Sequence, residues 1–440
     1  MLYLLIAYLL ILLFFSFYML GNDILAPTVV TIGLMIYGTI VASVGNKAWG
    51  VAIPADVLII YVLGTIAQFS GELIVRQKKV RLKAGNSSSN TDRASVSTIV
   101  KVPFVVVLFA LLFCIYVAYR FNGFALRLAY SYGFTGASWQ SLQRYLKNAL
   151  MYSDAHMGMG LATLYAVFIV ITYISILLFV INLSKDGIKK SIKCYWYYLL
   201  LLVPYVYVQF IRGQRSGFLG VAAFAIYSYF LRKYGMNLKK IKIKTFIVVG
   251  TLSAVAIYAI FIIAGVNSGR LASENAMESI KVYSGSAIVD FAHYFNSGAS
   301  HSELIGGCTF PGLRGTLARF IPSLITNEKY DVLPFVTFAN GSRSNVYGAF
   351  ASYYADFGLV GVILLPLLLG VIYRLLYNNA RKKGASLWQI YLFAYISYGI
   401  VLAFIDEQQF RLLFSTNQLM HLFFAFFILR FCVNHYAKEG

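Results

Sequence analysis

Charge is scarce in this chain, and acid scarcer still. Only 12% of its 440 residues are charged, and 16 Asp and Glu stand against 37 Lys and Arg. So few charges do not make an ordinary soluble surface. Cysteine is equally thin. Cys114, Cys194, Cys308 and Cys432 lie far apart with no CxxC or CxxH spacing, which excludes a disulfide framework and a metal-ligand pattern. Three fall in or beside apolar runs and read as core; Cys308 alone is expected to face outward. A P-loop, GxSxG, HExxH and an Asp-rich metal motif are all missing. ATP-driven and metal-dependent hydrolytic chemistry thus have no support, and no metal or other cofactor is expected. Residues 2–19 lack a basic leader and a small-residue cleavage site, so they read as a retained span. No internal repeat is visible, which counts against transporters built from repeated halves.

What is abundant is apolar sequence, 60% of the chain. Most of it forms runs of roughly 18–22 residues, long enough to cross a ~30 Å hydrocarbon core as helices. Eleven spans (within a range of 10–12) are expected, near 2–19, 27–45, 52–71, 102–119, 160–182, 195–211, 217–231, 245–264, 357–377, 387–405 and 413–432. The expected class is therefore all-α, one polytopic membrane bundle. Four junctions are strongly basic: 76–101, Lys185–Lys193, Arg232–Lys244 and Arg374–Lys383. They are separated by even numbers of spans, so they share one face, which the charge bias makes cytoplasmic. Lys438 falls on the same side and the N-terminus on the other. The net charge of +21 is then a membrane feature rather than a nucleic-acid footprint.

This topology makes 72–101 a cytoplasmic basic loop and places two long segments outward, 120–159 and 265–350. The second, about 85 residues, is more than a transporter needs and suits an enzyme acting on a bulky substrate. Within it, Ile280, Tyr283, Ala287, Ile288, Phe291 and Tyr294 follow helical spacing and predict an amphipathic surface helix. Gly312–Leu324 predicts a second, ended near Pro322. Trp49, Trp139, Trp196 and Trp388 sit near span ends, as interfacial aromatics do.

The outward face is poor in Lys yet keeps Arg212, Arg215, Arg270, Arg314, Arg319 and Arg343. Arg presents a rigid fork of donors that suits phosphate or carboxylate. Arg212 and Arg215 sit in a tight turn, Phe210-Ile-Arg-Gly-Gln-Arg-Ser-Gly-Phe218, which Gly213 and Gly217 allow. Snorkelling at an interface is the plain alternative. A second constellation runs from Arg343 through Asn345-Val-Tyr347 to Tyr353-Tyr354-Ala-Asp356-Phe-Gly358-Leu-Val-Gly361 and leads into a span. Asp356 there is either a base or a first-turn acid favoured by the helix dipole. The tyrosines suit sugar stacking or an interface, and Gly358 and Gly361 close helix packing. Asp290 and His293 are three apart and can share a helix face, as a base pair or as a solvated polar surface. His301 and Glu303 are weaker candidates, and His421, inside the last span, reads as a helix–helix hydrogen bond.

The Gly/Arg turn, the outward loop with Phe320-Ile-Pro322, and Asn345-Val-Tyr followed by Tyr-Tyr-Ala-Asp356-Phe-Gly resemble the Wzy-type oligosaccharide repeat-unit polymerases of bacteria. The likeness spans most of the chain in layout, and about 210–235 and 305–375 in motif. The Arg-x10-Gly pattern of some members is absent. The resemblance implies a GT-C-like membrane glycosyltransferase in the bacterial inner membrane, its site facing the exterior. It implies a glycan on undecaprenyl pyrophosphate as donor and a lipid-linked repeat unit as acceptor, with no metal, no nucleotide sugar and a chain-length regulator as partner. The polymer would be O-antigen, capsule or exopolysaccharide.

The residues fit that chemistry. Breaking an anomeric carbon–phosphate bond builds charge on a pyrophosphate, which pre-aimed guanidinium groups stabilise by ~2.7–4 kcal/mol per contact. Arg212 and Arg215 are the expected pyrophosphate clamp. Arg270, Arg319 and Arg343 are the candidates to complete it, Asp290 and Asp356 for the base, and Asn345, Tyr353 and Tyr354 for the sugars. An O-antigen ligase and a lipid-linked oligosaccharide flippase are the alternatives.

Overall fold

The computed structural model describes residues 1–82, 99–136, 138, 141–143, 145–146, 149, 157–213, 216–235, 276–298, 304–321 and 333–438. The expected span at 245–264 lies outside them.

The protein is mostly helical. Among the described residues, seven helices are long and apolar enough to cross a membrane. The distribution of apolar side chains explains why they belong in lipid. In α1 (Leu2–Met19), Leu5, Leu9, Leu12 and Ser16 turn inward at helical spacing, while Tyr3, Leu4, Ile11, Phe14 and Tyr18 are exposed. An apolar face of that size has no place in water. The last long helix repeats the pattern. Leu419, Phe423, Phe427 and Phe431 stand exposed every fourth residue, and His421, Ala425, Leu429 and Cys432 face inward.

The chain divides into two compact units. The first comprises 1–89, 277–380 and 396–418. It holds α1, α2 (Pro27–Trp49) and α3 (Ala55–Leu82), and α3 continues into the expected cytoplasmic loop as far as Leu82. The second comprises 90–276, 381–395 and 419–440. It begins with β1 (Ile99–Val100) and α4 (Phe104–Ser131), which reaches well into the segment expected as an outward loop. There follow α5 (Met159–Tyr195), a 3-10 turn (Trp196–Leu201), α6 (Leu202–Arg212) and α7 (Ser216–Tyr234). Gly187 breaks α5 at φ 77°, so the apolar stretch 159–212 is not one helix.

The segment of the first unit that is expected to face outward contains α8 (Ala276–Gly285), α9 (Ala287–Asn296), α10 (Pro311–Phe320) and the ladder of β2 (Val336–Thr337) with β3 (Arg343–Ser344). The single amphipathic helix expected around 280–294 is two, divided at Ser286. Next come α11 (Gly348–Ala380), α12 (Leu387–Leu402), α13 (Gln409–Leu412) and α14 (Thr416–Tyr436). A last strand, β4 (Ala437–Lys438), pairs antiparallel with β1 in the second unit. The all-α expectation thus stands apart from two ladders of two residues a strand.

The first unit is organised on the crossing of α3 and α11. A Cβ on Gly71 would lie 2.1 Å from the Leu367 carbonyl, and one on Gly370 2.1 Å from the Gln68 carbonyl. The two backbones touch where neither helix has a side chain. Beyond this contact, buried Arg374 sits 3.5 Å from buried Glu72. Glu72 also accepts the Thr28 N–H at 2.5 Å, and Tyr377 donates to both oxygens of buried Asp23.

Gly358 and Gly361 do something other than pack helices. Gly358 adopts φ 59°, ψ −149°, a conformation open essentially to glycine alone, and breaks α11 in two. A Cβ on Gly361 would strike the Tyr353 carbonyl across that break.

Candidate functional site

Asp290 is fully buried, not on the solvated face that its spacing from His293 suggested. His293 is exposed, so the two do not share a face. Three donors converge on Asp290 Oδ2. The Ser344 hydroxyl makes a very short bond, the Val346 N–H donates at 2.9 Å and the Ser286 hydroxyl at 3.2 Å. Oδ1 has no hydrogen-bond partner among the described residues. Burial pushes the carboxyl up to about 7, against the pull of Ser344, Val346 and Ser286.

This arrangement fixes the register of the second constellation. Ser344 and Val346 turn inward to Asp290, and Arg343 and Asn345 between and beside them are exposed, the two-residue alternation of extended chain. Arg343 Nε reaches Thr337 Oγ1 at 3.4 Å across the β2–β3 pair. Neither Arg343 nor Arg319, exposed on α10, has an acidic partner among the described residues. Arg314, on the same helix, donates to the Ile305 carbonyl at 2.9 Å.

Asp356 is not at the start of a membrane helix. It lies two residues before the break at Gly358, in the last turn of the first half of α11, where the helix dipole disfavours an acid. Two N–H groups offset that: Cys308 donates at 3.1 Å and Thr309 at 2.6 Å. Asp356 thus holds the turn that leads into α10. Cys308, expected outward, is buried.

The tyrosines separate. Tyr353, expected to meet sugars, is buried and donates to Glu407 at 3.2 Å. Tyr354 is half-buried with its ring 5.7 Å from Phe291 and from Phe295. Tyr347 is buried and donates to the Pro334 carbonyl at 2.7 Å. Trp49 is not an interfacial aromatic either. It is buried, stacks on Phe338 and donates to Glu278 at 2.9 Å.

Glu407 was missed by sequence reasoning. Its oxygens accept the N–H groups of Gln409, Phe410 and Arg411 at 2.7–3.0 Å, closing the first turn of α13. Burial raises its carboxyl to about 7, which the Phe410 and Arg411 amides oppose. It borders a narrow cavity of about 10 Å³, room for roughly one water, with Gln68, Tyr373 and Asp406. Arg411 pairs with Asp406 at 2.9 Å. The signal was the run Asp406-Glu407-Gln-Gln-Phe-Arg411 between two apolar spans. α10 packs on this turn, with Thr316 Oγ1 donating to the Phe414 carbonyl at 2.8 Å.

Arg212 belongs to the second unit. The tight turn is as expected: Gly213 is left-handed at φ 61°, and a Cβ on Gly217 would collide with Gln209. Arg212 is half-buried, donates to the Tyr165 hydroxyl at 2.7 Å and lies over that ring at 5.5 Å. Arg215, Arg270, His301, Glu303, Trp139 and Pro322 lie outside the described residues. His421 makes the expected helix–helix bond, 2.7 Å to the Tyr391 hydroxyl. No cluster of potential metal ligands occurs among the described residues.

In comparison with protein-family models, curated proteins and solved structures, the chain matches none.

Proposed function

We propose that this polytopic membrane protein is a glycosyltransferase that polymerises lipid-linked oligosaccharide repeat units. The donor glycan leaves undecaprenyl pyrophosphate, and a lipid-linked repeat unit accepts it on the outward face of the bacterial cytoplasmic membrane. The observation that carries this reading is the register set by Asp290. It presents Arg343 and Asn345 of the motif to solvent from an ordered segment anchored to membrane helices. A guanidinium free of acidic partners and held by a buried carboxylate is suited to an anion whose charge grows during the reaction.

On this reading Arg343 and Arg319, in the first unit, bind phosphate oxygens, and Asn345 hydrogen-bonds the glycan; Arg212, in the second unit, is a separate phosphate-binding candidate. Asp290 and Asp356 are reassigned as positioning residues. Each spends its carboxylate on the backbone or hydroxyls of the segment that carries an arginine. Arg215 and Arg270 remain candidates for the pyrophosphate clamp.

The test is the length distribution of surface polysaccharide in a strain lacking the protein. The expected phenotype is glycan stopped at one repeat unit, rescued by wild type and not by Arg343→Ala at equal membrane abundance. A null strain that lacks even the single-unit glycan would sink the reading in favour of a ligase or flippase.

A further inference from the structure

The hairpin that carries Arg343 has two different faces. β2 and β3 pair Val336 with Ser344 and Thr337 with Arg343, and the Phe338 N–H donates to the Ser342 carbonyl at 2.9 Å. Extended by one step the other way, the same register sets Phe335 opposite Asn345. Burial alternates strictly along both strands. Val336, Phe338, Ser342, Ser344 and Val346 turn inward, and Phe335, Thr337, Ala339, Arg343 and Asn345 are exposed.

The exposed face therefore has an order. Ala339 lies toward the turn, then the pair Thr337 and Arg343, then the pair Phe335 and Asn345. At the turn Asn340 donates to Glu278 at 3.0 Å, which puts an acid at that end; residues 335–345 themselves contain none. Phe335 is 51% exposed, and the chain just before it is held by the Tyr347 hydroxyl on the Pro334 carbonyl at 2.7 Å. With Tyr353 buried and Tyr354 half-buried, Phe335 is an aromatic side chain that this segment does expose.

Each pair suits one half of a sugar phosphate. Arg343 Nε reaches Thr337 Oγ1 at 3.4 Å, which leaves the terminal guanidinium nitrogens and the Thr337 hydroxyl proton for phosphate oxygens. Phe335 offers its π face to the C–H face of a pyranose ring, and Asn345 offers both a donor and an acceptor to the ring hydroxyls. Successive residues on one face of a strand stand roughly 6.8 Å apart, which matches the reach from phosphorus across the pyranose that it esterifies. We propose that this hairpin face binds a glycosyl phosphate, its phosphate on Arg343 and Thr337 and its first sugar ring stacked on Phe335 with Asn345 at the hydroxyls. The proposal rests on the glycosyl-transfer reading and adds to it the residue that orients the sugar.

The full-length protein in detergent is titrated with glucose 1-phosphate, galactose 1-phosphate and N-acetylglucosamine 1-phosphate, and saturation transfer to the sugar ring protons is recorded. At least one ester is expected to bind, more tightly than its free sugar and than inorganic phosphate added as competitor. Phe335→Ser, at an exposed position, should weaken that ester about fivefold and leave inorganic phosphate unchanged, and Phe335→Trp should restore the affinity. Arg343→Gln should act on the other half, removing the advantage of the ester over the free sugar. Ring-proton transfer that is the same in wild type and Phe335→Ser, or absent for all three esters, would overturn the proposal. The null-strain experiment fails separately. A null strain arrested at one repeat unit, with no Phe335-dependent binding, keeps polymerisation and discards this site. Phe335-dependent binding, with a null strain that lacks the single-unit glycan, keeps the site and assigns it to a ligase or flippase.

Discussion

The Ser344 hydroxyl donates to Asp290, and this bond decides which residues of the Asn345 motif meet solvent. A slip by one residue would bury Arg343 and Asn345 and expose Ser344 and Val346. The motif is therefore read through a buried carboxylate 53 or more positions earlier in the chain.

Asp290→Ala should be far worse than Asp290→Asn. Alanine removes the acceptor that the Ser344 hydroxyl and the Val346 N–H share and leaves them only the weaker network through Ser286 and Ser344 Oγ, at about 1–3 kcal/mol in all. Asparagine keeps an acceptor and places its NH₂ where Oδ1 has no partner. Thermal melts of the purified variants are expected to rank wild type and Asn together, well above Ala.

Stability should fall as pH rises. The Asp290 carboxyl is held at about 7 in the folded chain, against about 3.9 when unhindered. Between those values the folded state keeps a proton that the unfolded chain has released. Each such group removes up to about 1.4 kcal/mol per pH unit, and the loss is complete above about pH 7. Glu407 acts in the same direction. The melting midpoint is expected to be higher at pH 5 than at pH 8, with a shallower slope for Asp290→Asn. An unchanged slope in that variant would refute the assignment.

The glycine crossing gives a prediction with an internal control. A side chain at Gly71 or Gly370 meets backbone carbonyls at 2.1 Å, which cannot swing away. Gly370→Val should abolish a monodisperse elution profile. At Gly33 an added Cβ meets nothing within 4 Å. Gly33→Ala, in the middle of α2, should be neutral or stabilising by about 0.5–1 kcal/mol.

Two arginines should fail in different ways. Arg343→Ala leaves an exposed site on a short ladder, so abundance and melting should hold while polymer length collapses, by about 10²–10³ in rate if it stabilises developing charge. Arg374→Ala abandons buried Glu72 and should cost about 3–5 kcal/mol. Combining it with Glu72→Gln should recover much of that loss. Membrane abundance and glycan length, measured together, separate the two cases.

The helices were legible because the bilayer imposes long apolar runs, and those runs survive without any tertiary information. The turn Phe210–Phe218 was legible for a related reason, since glycine acts on the local backbone. The partners of the acids were not. Asp290 reads as half of a polar pair with His293 until Ser344 and Val346 are brought against it. Asp356 reads as a first-turn acid until Gly358 is seen to end the helix. Glu407 went unnoticed because a run of polar residues between spans is the commonest thing a membrane loop contains. For Asp290 the missing fact was a set of long-range hydrogen bonds, which leave no period in the sequence.

Asp290, Asp356 and Glu407 all direct their oxygens at amides and hydroxyls rather than at guanidinium groups. Acid is the rarest kind of charge in this chain, and here it is consumed in holding the fold. The counter-charge that would otherwise cancel Arg319 and Arg343 is thereby withdrawn, and their field extends into the surrounding solution. Capture of a polyanionic lipid by such a surface would be a long-range event, fast in dilute buffer and damped over a Debye length of about 8 Å at physiological salt.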